Sequence, residues 1–152
     1  MREIPCAVCK GARLKPEILA VTIGGKSIHE ICELSIDECA KFLKNIKLNA
    51  REAKIAERVL KEVHERLGFL LDVGLDYLTL SRSAGSLSGG EAQRLKLAGH
   101  LAEAARSGKL AQGSLFLFDE PTTGLHFEDV AKLLRAFRQL LSAGHSLVVI
   151  EH

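Results

Sequence analysis

The sequence predicts an α/β fold in which a core of parallel strands is joined to a mainly helical subdomain. Three stretches carry that prediction. Leu87-Ser88-Gly89-Gly90-Glu91 opens a helix: Ser88 and Glu91 have capping-box spacing, and Ala92, Leu95, Ala98, Leu101, Ala102 and Ala105 follow at helical intervals. Leu115-Phe116-Leu117-Phe118 is a continuous apolar run of the kind found in parallel strands buried on both faces. A helical pattern over 127–141 then leads, past Gly144, into a second apolar strand, Ser146-Leu147-Val148-Val149-Ile150. Strand, helix, strand is the order of a right-handed parallel crossover.

The elements before these are predominantly helical. Ala20-Val21-Thr22-Ile23-Gly24-Gly25-Lys26-Ser27 fits a relaxed phosphate-loop pattern. A phosphate loop needs a flexible backbone between its first glycine and its lysine, whereas Val21-Thr22-Ile23 is β-branched and favours an extended strand. Strand, Gly24-Gly25 turn and a short helix from Ser27 is the simpler reading. Ser35-Ile36-Asp37-Glu38 opens another capped helix that continues through Ala40, Phe42 and Leu43. A longer helix over 51–67 gathers Ile55, Val59, Leu60, Val63 and Leu67 on one face and charges on the other. Residues 68–80 are apolar and punctuated by turns, and 104–112 form a small, polar connection. In the 127–141 helix, Val130, Leu133, Leu134, Phe137, Leu140 and Leu141 are expected to face the sheet.

Composition narrows the class. Of 152 residues, 47% are hydrophobic, 26% are charged and three are proline, which is globular rather than disordered. A net charge of +2 is too small to argue for nucleic-acid binding on its own. No apolar run approaches the roughly 18 residues that span a bilayer, and no signal peptide precedes the polar start, so the chain reads as cytoplasmic, without membrane contact. The last strand stands two residues from the end, and a segment of a longer protein is expected on that ground.

Four cysteines in such a chain point to metal or free thiols before disulfides. Cys6 and Cys9 form a Cys-x-x-Cys knuckle able to supply two thiolates to zinc, half of the four ligands that a structural site closes with. A reduced thiol pair in a turn is the alternative. Cys32 and Cys39 are spaced too widely for a second knuckle and read as buried thiols, while His29 and His64 read as ordinary helix residues.

The chemistry concentrates after residue 81. The glycines after Ser88 leave backbone N–H groups bare at a positive helix end, a seat for phosphate. Asp119 and Glu120 sit at the C-terminal end of the first strand, where open α/β sheets bind ligands. Asp119 is placed to hold Mg²⁺, and Glu120 to orient or deprotonate an attacking water. Pro121 stops the strand, Thr122-Thr123-Gly124-Leu125-His126 makes a tight loop, and His152 emerges on the same edge after the second strand. There it could meet a γ-phosphate or the water.

That order of motifs resembles the nucleotide-binding domain of ABC ATPases: signature motif, Walker B, D-loop, switch histidine. The wording of Cys6-x-x-Cys9-Lys10-Gly11, of Val73-Gly74-Leu75-Asp76-Tyr77-Leu78-Thr79-Leu80-Ser81-Arg82-Ser83-Ala84, of Leu87 to Arg94 and of Asp119 to His126 is similar to the UvrA family of ABC-type excinuclease components, over nearly the whole chain. The resemblance implies a partial ABC-type nucleotide-binding domain lacking the Walker A part. Residues 1–34 would be a zinc-knuckle half with a strand and turn, 35–86 a helical signature subdomain, and 87–152 the signature helix through the switch histidine. Ser88, Gly89, Gly90 and Glu91 would meet nucleotide held by a second ABC module or UvrA protomer. Asp119, Glu120, Gly124 and His152 would serve their own module's site. Cys6 and Cys9 would be the second knuckle of a four-cysteine Zn²⁺ site. The implied cofactors are ATP and Mg²⁺, and the implied partners are double-stranded DNA and a UvrB-like helicase. Residues up to about 98 look like the family's first module and those from 119 onward like its second. A catalytically silent module that docks on a partner ABC module or on DNA is the alternative.

Overall fold

A computed structural model of the chain describes residues 6–107 and 113–152. The first elements are small: α1 (Pro16–Leu19), which no pattern in the sequence announces, then β1 (Thr22–Ile23), β2 (Lys26–Ser27) and α2 (Ile28–Cys32). β1 and β2 pair antiparallel, with Ile23 opposite Lys26 across Gly24 and Gly25. Both glycines have positive φ, 57° and 81°, the requirement of the two-residue hairpin turn that matches strand twist. The Gly-Gly-Lys-Ser letters therefore spell a hairpin and a helix cap, since Ser27 and Glu30 close a capping box on α2.

Four further helices build the core with the last two strands. In chain order these elements are α3 (Ile36–Lys44), α4 (Ala50–Asp72), α5 (Gly89–Ser107), β3 (Leu115–Asp119), α6 (Phe127–Ser142) and β4 (Ser146–Ile150). Ser35 with Glu38 and Asn49 with Glu52 cap α3 and α4 by reciprocal side-chain bonds. α4 runs to Asp72, beyond the expected 67. A Cβ at Gly68 would meet nothing, so no close approach requires the glycine, and its propensity cost of about 1 kcal/mol is left to the packing of Phe69, Leu70 and Leu71 to offset. The helix ends in a Schellman motif, with the Gly74 N–H on the Leu71 carbonyl and the Leu75 N–H on that of Leu70. Gly74, at φ 73°, also lets the turn approach α6: a Cβ there would stand 3.2 Å from Asp129 Cβ.

One buried cluster links most of these elements, running from Ile31, Ile36 and Cys39 through Leu67, Val73, Leu75 and Leu97 to Phe118, Leu133 and Leu140. Three expected faces are corrected by it. On α5 the buried stripe is Glu91, Arg94, Leu97, Ala98 and Leu101, and Leu95 is exposed. The two charged side chains take core positions there because both find hydrogen-bond partners. On α4, Ile55 and Val59 are exposed, because only the second half of the helix is covered. β3 and β4 are not buried on both faces: Phe118 packs inward, but Leu117 is 70% exposed, as no described element covers the outer face. The helix end of the small polar connection expected over 104–112 is the close of α5, and residues 108–112 lie outside the described residues, as does the side chain of Ala105.

α6 separates two leucines that the sequence pattern places together. Leu133 is fully buried, whereas its neighbour Leu134 is 49% exposed. Leu133→Ala should therefore cost about 2–5 kcal/mol in urea unfolding, and Leu134→Ala no more than about 0.5 kcal/mol. Equal losses would contradict this orientation of the helix.

Candidate functional site

The register of the parallel pair builds the site. Asp119 stands opposite Ile150, so residues 120, 151 and 152 leave the sheet at one edge. The Glu120 N–H donates to the Ile150 carbonyl at 2.8 Å, extending the ladder one residue past the strand. Glu120 itself lies at φ 44°, a left-handed conformation that costs a non-glycine residue roughly 1–3 kcal/mol. The surroundings hold it there. Its carbonyl accepts from the Thr123 N–H at 3.1 Å, and its carboxylate accepts from Thr123 Oγ1 at 3.2 Å. His152 Nε2 is 3.6 Å from the other Glu120 oxygen. Asp119, Glu120 and His152 are all exposed at this edge, and Gly124, at φ 76°, lies exposed in the loop that follows.

Glu151, which no motif in the sequence singles out, is tied into the same turn. Its carboxylate accepts from the Thr122 N–H at 3.1 Å, which fastens the loop after Pro121 to the end of β4.

The N-terminus of α5 is fastened to this edge by two side chains. Gln93 Nε2 donates to the Asp119 carbonyl at 2.8 Å, and Arg94 Nη1 to the Pro121 carbonyl at 3.1 Å. Gly90 is also close, for a Cβ there would stand 3.2 Å from Arg94 Nη1 and 3.4 Å from the Thr123 carbonyl. Ser88 and Gly89 remain exposed and Gly90 half-buried at the helix start. Glu91 is placed differently, being 6% exposed with its carboxylate already engaged. One oxygen accepts from the Ser88 N–H at 2.7 Å, and the other from the Tyr77 hydroxyl at 2.7 Å, with Arg82 Nη1 at 3.5 Å. The Ser88 N–H first, and then the Tyr77 hydroxyl, hold the Glu91 carboxyl below its ordinary value. Gln93, Arg94, Tyr77 and Arg82 all fall inside the motifs named above, but spacing alone does not say which atoms they reach.

Cys6 and Cys9 occupy a separate turn, closed by the Lys10 N–H on the Cys6 carbonyl and the Ala12 N–H on that of Cys9. The backbone N–H groups of Cys9 and then Val8 bond the Cys6 sulfur and pull its pKa down, favouring the thiolate that metals take. Among the described residues no group of three or more His, Cys, Asp or Glu could hold a metal ion. The two thiols therefore stand as a pair, with no third or fourth metal-ligating side chain beside them among the described residues. The carboxylate edge is no closed cage either. Cys39 is buried, which raises its thiol pKa, and Cys32 adds to the effect. His29 lies on α2 beside Glu33, and His64 donates from Nδ1 to the Leu60 carbonyl, so both are helix residues. No described helix is long and apolar enough to cross a membrane.

Known proteins supply close relatives of this chain. Over its full 152 residues it is 55% identical to UvrABC system protein A of Streptomyces coelicolor, of which it spans 14%. It is 52% identical over 152 residues to UvrABC system protein A of Methanothermobacter thermautotrophicus, spanning 15% of it. Among solved structures, UvrA2 from Deinococcus radiodurans superposes with a TM-score of 0.71 at 39% identity, over 98% of this chain and 16% of that one. No protein-family model matches.

The depressed carboxyl of Glu91 makes a pH prediction. A folded pKa below the unfolded one contributes stability that is present above the ordinary 4.5 and is lost as pH falls through the depressed value. Glu30 and Glu38 are lowered in the same way by the backbone N–H groups of Ser27 and Ser35. Stability followed by circular dichroism should decline below about pH 4.5, and Glu91→Gln should flatten part of that decline. An unchanged acid limb in this variant would contradict the bonding described.

Proposed function

Because the chain is UvrA-like over its whole length, we propose that it is the signature, Walker B and switch-histidine portion of a DNA-damage-recognising ABC ATPase of nucleotide excision repair. The observation that carries this reading is the single edge shared by Asp119, Glu120 and His152, with the capped start of α5 bonded to it through Gln93 and Arg94. The chain spans about one seventh of the relatives it matches, so the parent's activity and partners belong to this proposal. Those partners are a second ABC module or UvrA protomer, double-stranded DNA and a UvrB-like helicase. Residues 1–34, 35–86 and 87–152 would be its zinc-knuckle, signature-helical and catalytic parts.

Two sites share the work. When bound, Mg²⁺·ATP supplies the phosphoryl group that an in-line water attacks. Asp119, at the strand end, would hold the metal. Glu120 would orient that water and take its proton, its backbone strain being fixed in advance by the Ile150 and Thr123 bonds rather than at the moment of reaction. His152, whose Nε2 is 3.6 Å from a Glu120 oxygen, would meet the γ-phosphate or that water. Gly89 and Gly90 would direct bare N–H groups, and Ser88 its exposed side of the turn, at nucleotide held by the partner module, with the positive end of α5 behind them. Glu91, enclosed by Ser88, Tyr77 and Arg82, would shape that turn from behind. Cys6 and Cys9 would supply two thiolates to Zn²⁺, joined by ligands from outside the described residues.

The β1–β2 hairpin favours a second reading for the chain alone, a catalytically silent module that docks on a partner ABC module or on DNA, because residues 20–27 are not a phosphate loop. One experiment separates the two. The purified chain should hydrolyse ATP negligibly. Adding an ABC module that carries a phosphate loop should restore Mg²⁺-dependent turnover, and Glu120→Gln should abolish it. Robust turnover by the chain alone, or none in the mixture, would overturn the first reading, and Lys26→Ala should leave nucleotide binding unchanged in either case.

A further inference from the structure

The Ser88-Gly89-Gly90 turn has an acid immediately behind it. A carboxylate at a helix N-terminus competes with phosphate for the same N–H groups and repels it. Glu91 limits that conflict by its position: it is 6% exposed, one oxygen is held by the Ser88 N–H and the other by the Tyr77 hydroxyl, so neither is bonded to the N–H of Gly89 or Gly90. The partners come from one short stretch between α4 and α5. Tyr77 has an exposed ring whose hydroxyl donates to Glu91 Oε1 at 2.7 Å. Arg82 reaches two places at once. Its Nη1 is 3.5 Å from Glu91 Oε1, while its Nη2 donates to the Ser86 carbonyl at 3.0 Å and its Nε to Ser86 Oγ at 3.2 Å. The guanidinium thus grips the chain on both sides of Leu87, Ser88, Gly89 and Gly90. Glu91 completes the frame through its 2.7 Å bond from the Ser88 N–H. The capping boxes of α2, α3 and α4 are local exchanges between the cap residue and its own acid, whereas at α5 two side chains from a preceding segment join in.

We propose that Tyr77 and Arg82 are positioning residues for the Ser88-Gly89-Gly90 turn, acting through Glu91. They clamp the acid on the Ser88 N–H, offset its charge and leave the Gly89 and Gly90 N–H groups for an incoming nucleotide phosphate. This deepens the reading of that turn as the face presented to a partner module's nucleotide, and rests on it.

The chain has one tyrosine and no tryptophan, so the tyrosine band of its near-ultraviolet absorption reports on Tyr77 alone. Partial desolvation of its hydroxyl end, and then the bond to Glu91, raise the Tyr77 pKa, so Glu91→Gln should shift the tyrosine band and lower its alkaline midpoint. Amide exchange at Ser88, followed by NMR, should quicken by about tenfold in Tyr77→Phe, while exchange at Ser35, in the α3 capping box, stays unchanged. Arg82→Lys should quicken it too, because a lysine cannot grip Ser86 and Glu91 together. An unmoved tyrosine band in Glu91→Gln, or unchanged Ser88 exchange in both Tyr77→Phe and Arg82→Lys, overturns the clamp. If Glu91→Gln does not fold, the other two variants decide alone. The nucleotide face is tested separately by adding the Mg²⁺·ATP-loaded module of the reconstitution experiment. Shifts of the Gly89 and Gly90 resonances, weakened in Tyr77→Phe, support both ideas. Intact clamp results with no such shifts in the unsubstituted chain would leave the clamp standing and remove the nucleotide reading.

Discussion

Arg94 brings a full positive charge into the seam between the helical part of the chain and the strand edge, where it is 2% exposed. Burying a guanidinium is expensive, and the cost is offset only where hydrogen bonds replace the lost water. Its bond to the Pro121 carbonyl supplies one of them. The carbonyl in question is not arbitrary: Pro121 ends β3, has no N–H to extend the sheet and is itself buried, so its oxygen is the acceptor that the turn leaves facing α5. Gln93 adds a second tie one helical position earlier, on the Asp119 carbonyl. The start of α5 and the carboxylates are thereby held by bonds to the backbone. Backbone acceptors leave the acidic side chains of Asp119 and Glu120 uncommitted to the seam. On the proposed reading those two ends would serve different nucleotides, and a rigid seam would make each one sensitive to the position of the other.

Much of this was legible in the residues, and what was missed has physical causes. The capping boxes at Ser35 and Ser88 obey a local rule, in which a short polar side chain and an acid three residues later satisfy each other, and the structure adds two more of the kind at Ser27 and Asn49. The shared edge of Asp119, Glu120 and His152 follows from a strand–helix–strand order that leaves few alternatives. The Gly24-Gly25 turn was readable because β-branched residues before it disfavour a phosphate loop. The buried face of α5 was not. Periodicity counts apolar residues, and here Glu91 and Arg94 occupy core positions, so the apolar pattern points to a neighbouring face, through Leu95. Their partners, Tyr77 and Pro121, lie 14 and 27 residues away, beyond the reach of any local pattern.

The strand edge shows a different division of labour. Glu120 is the one residue of its turn with both a strained backbone and a candidate chemical role, and Ile150, Thr123 and His152 surround it. Glu151 adds a brace close by, on Thr122. A geometry that costs about 1–3 kcal/mol locally persists because its neighbours specify it from several directions. This reverses the arrangement at Glu91, whose backbone is relaxed and helical and whose side chain is the constrained part.

The uncovered outer face of β3 and β4 has a thermodynamic meaning. Leu115, Leu117, Val148 and Ile150 stay in water there, so the apolar burial that would anchor the strands is only half realised within the chain. Any layer that covers this face binds the folded form in preference to the unfolded one, and raises its apparent stability with the logarithm of its concentration over its dissociation constant. The melting temperature of such a segment is consequently a statement about its company as well as its sequence.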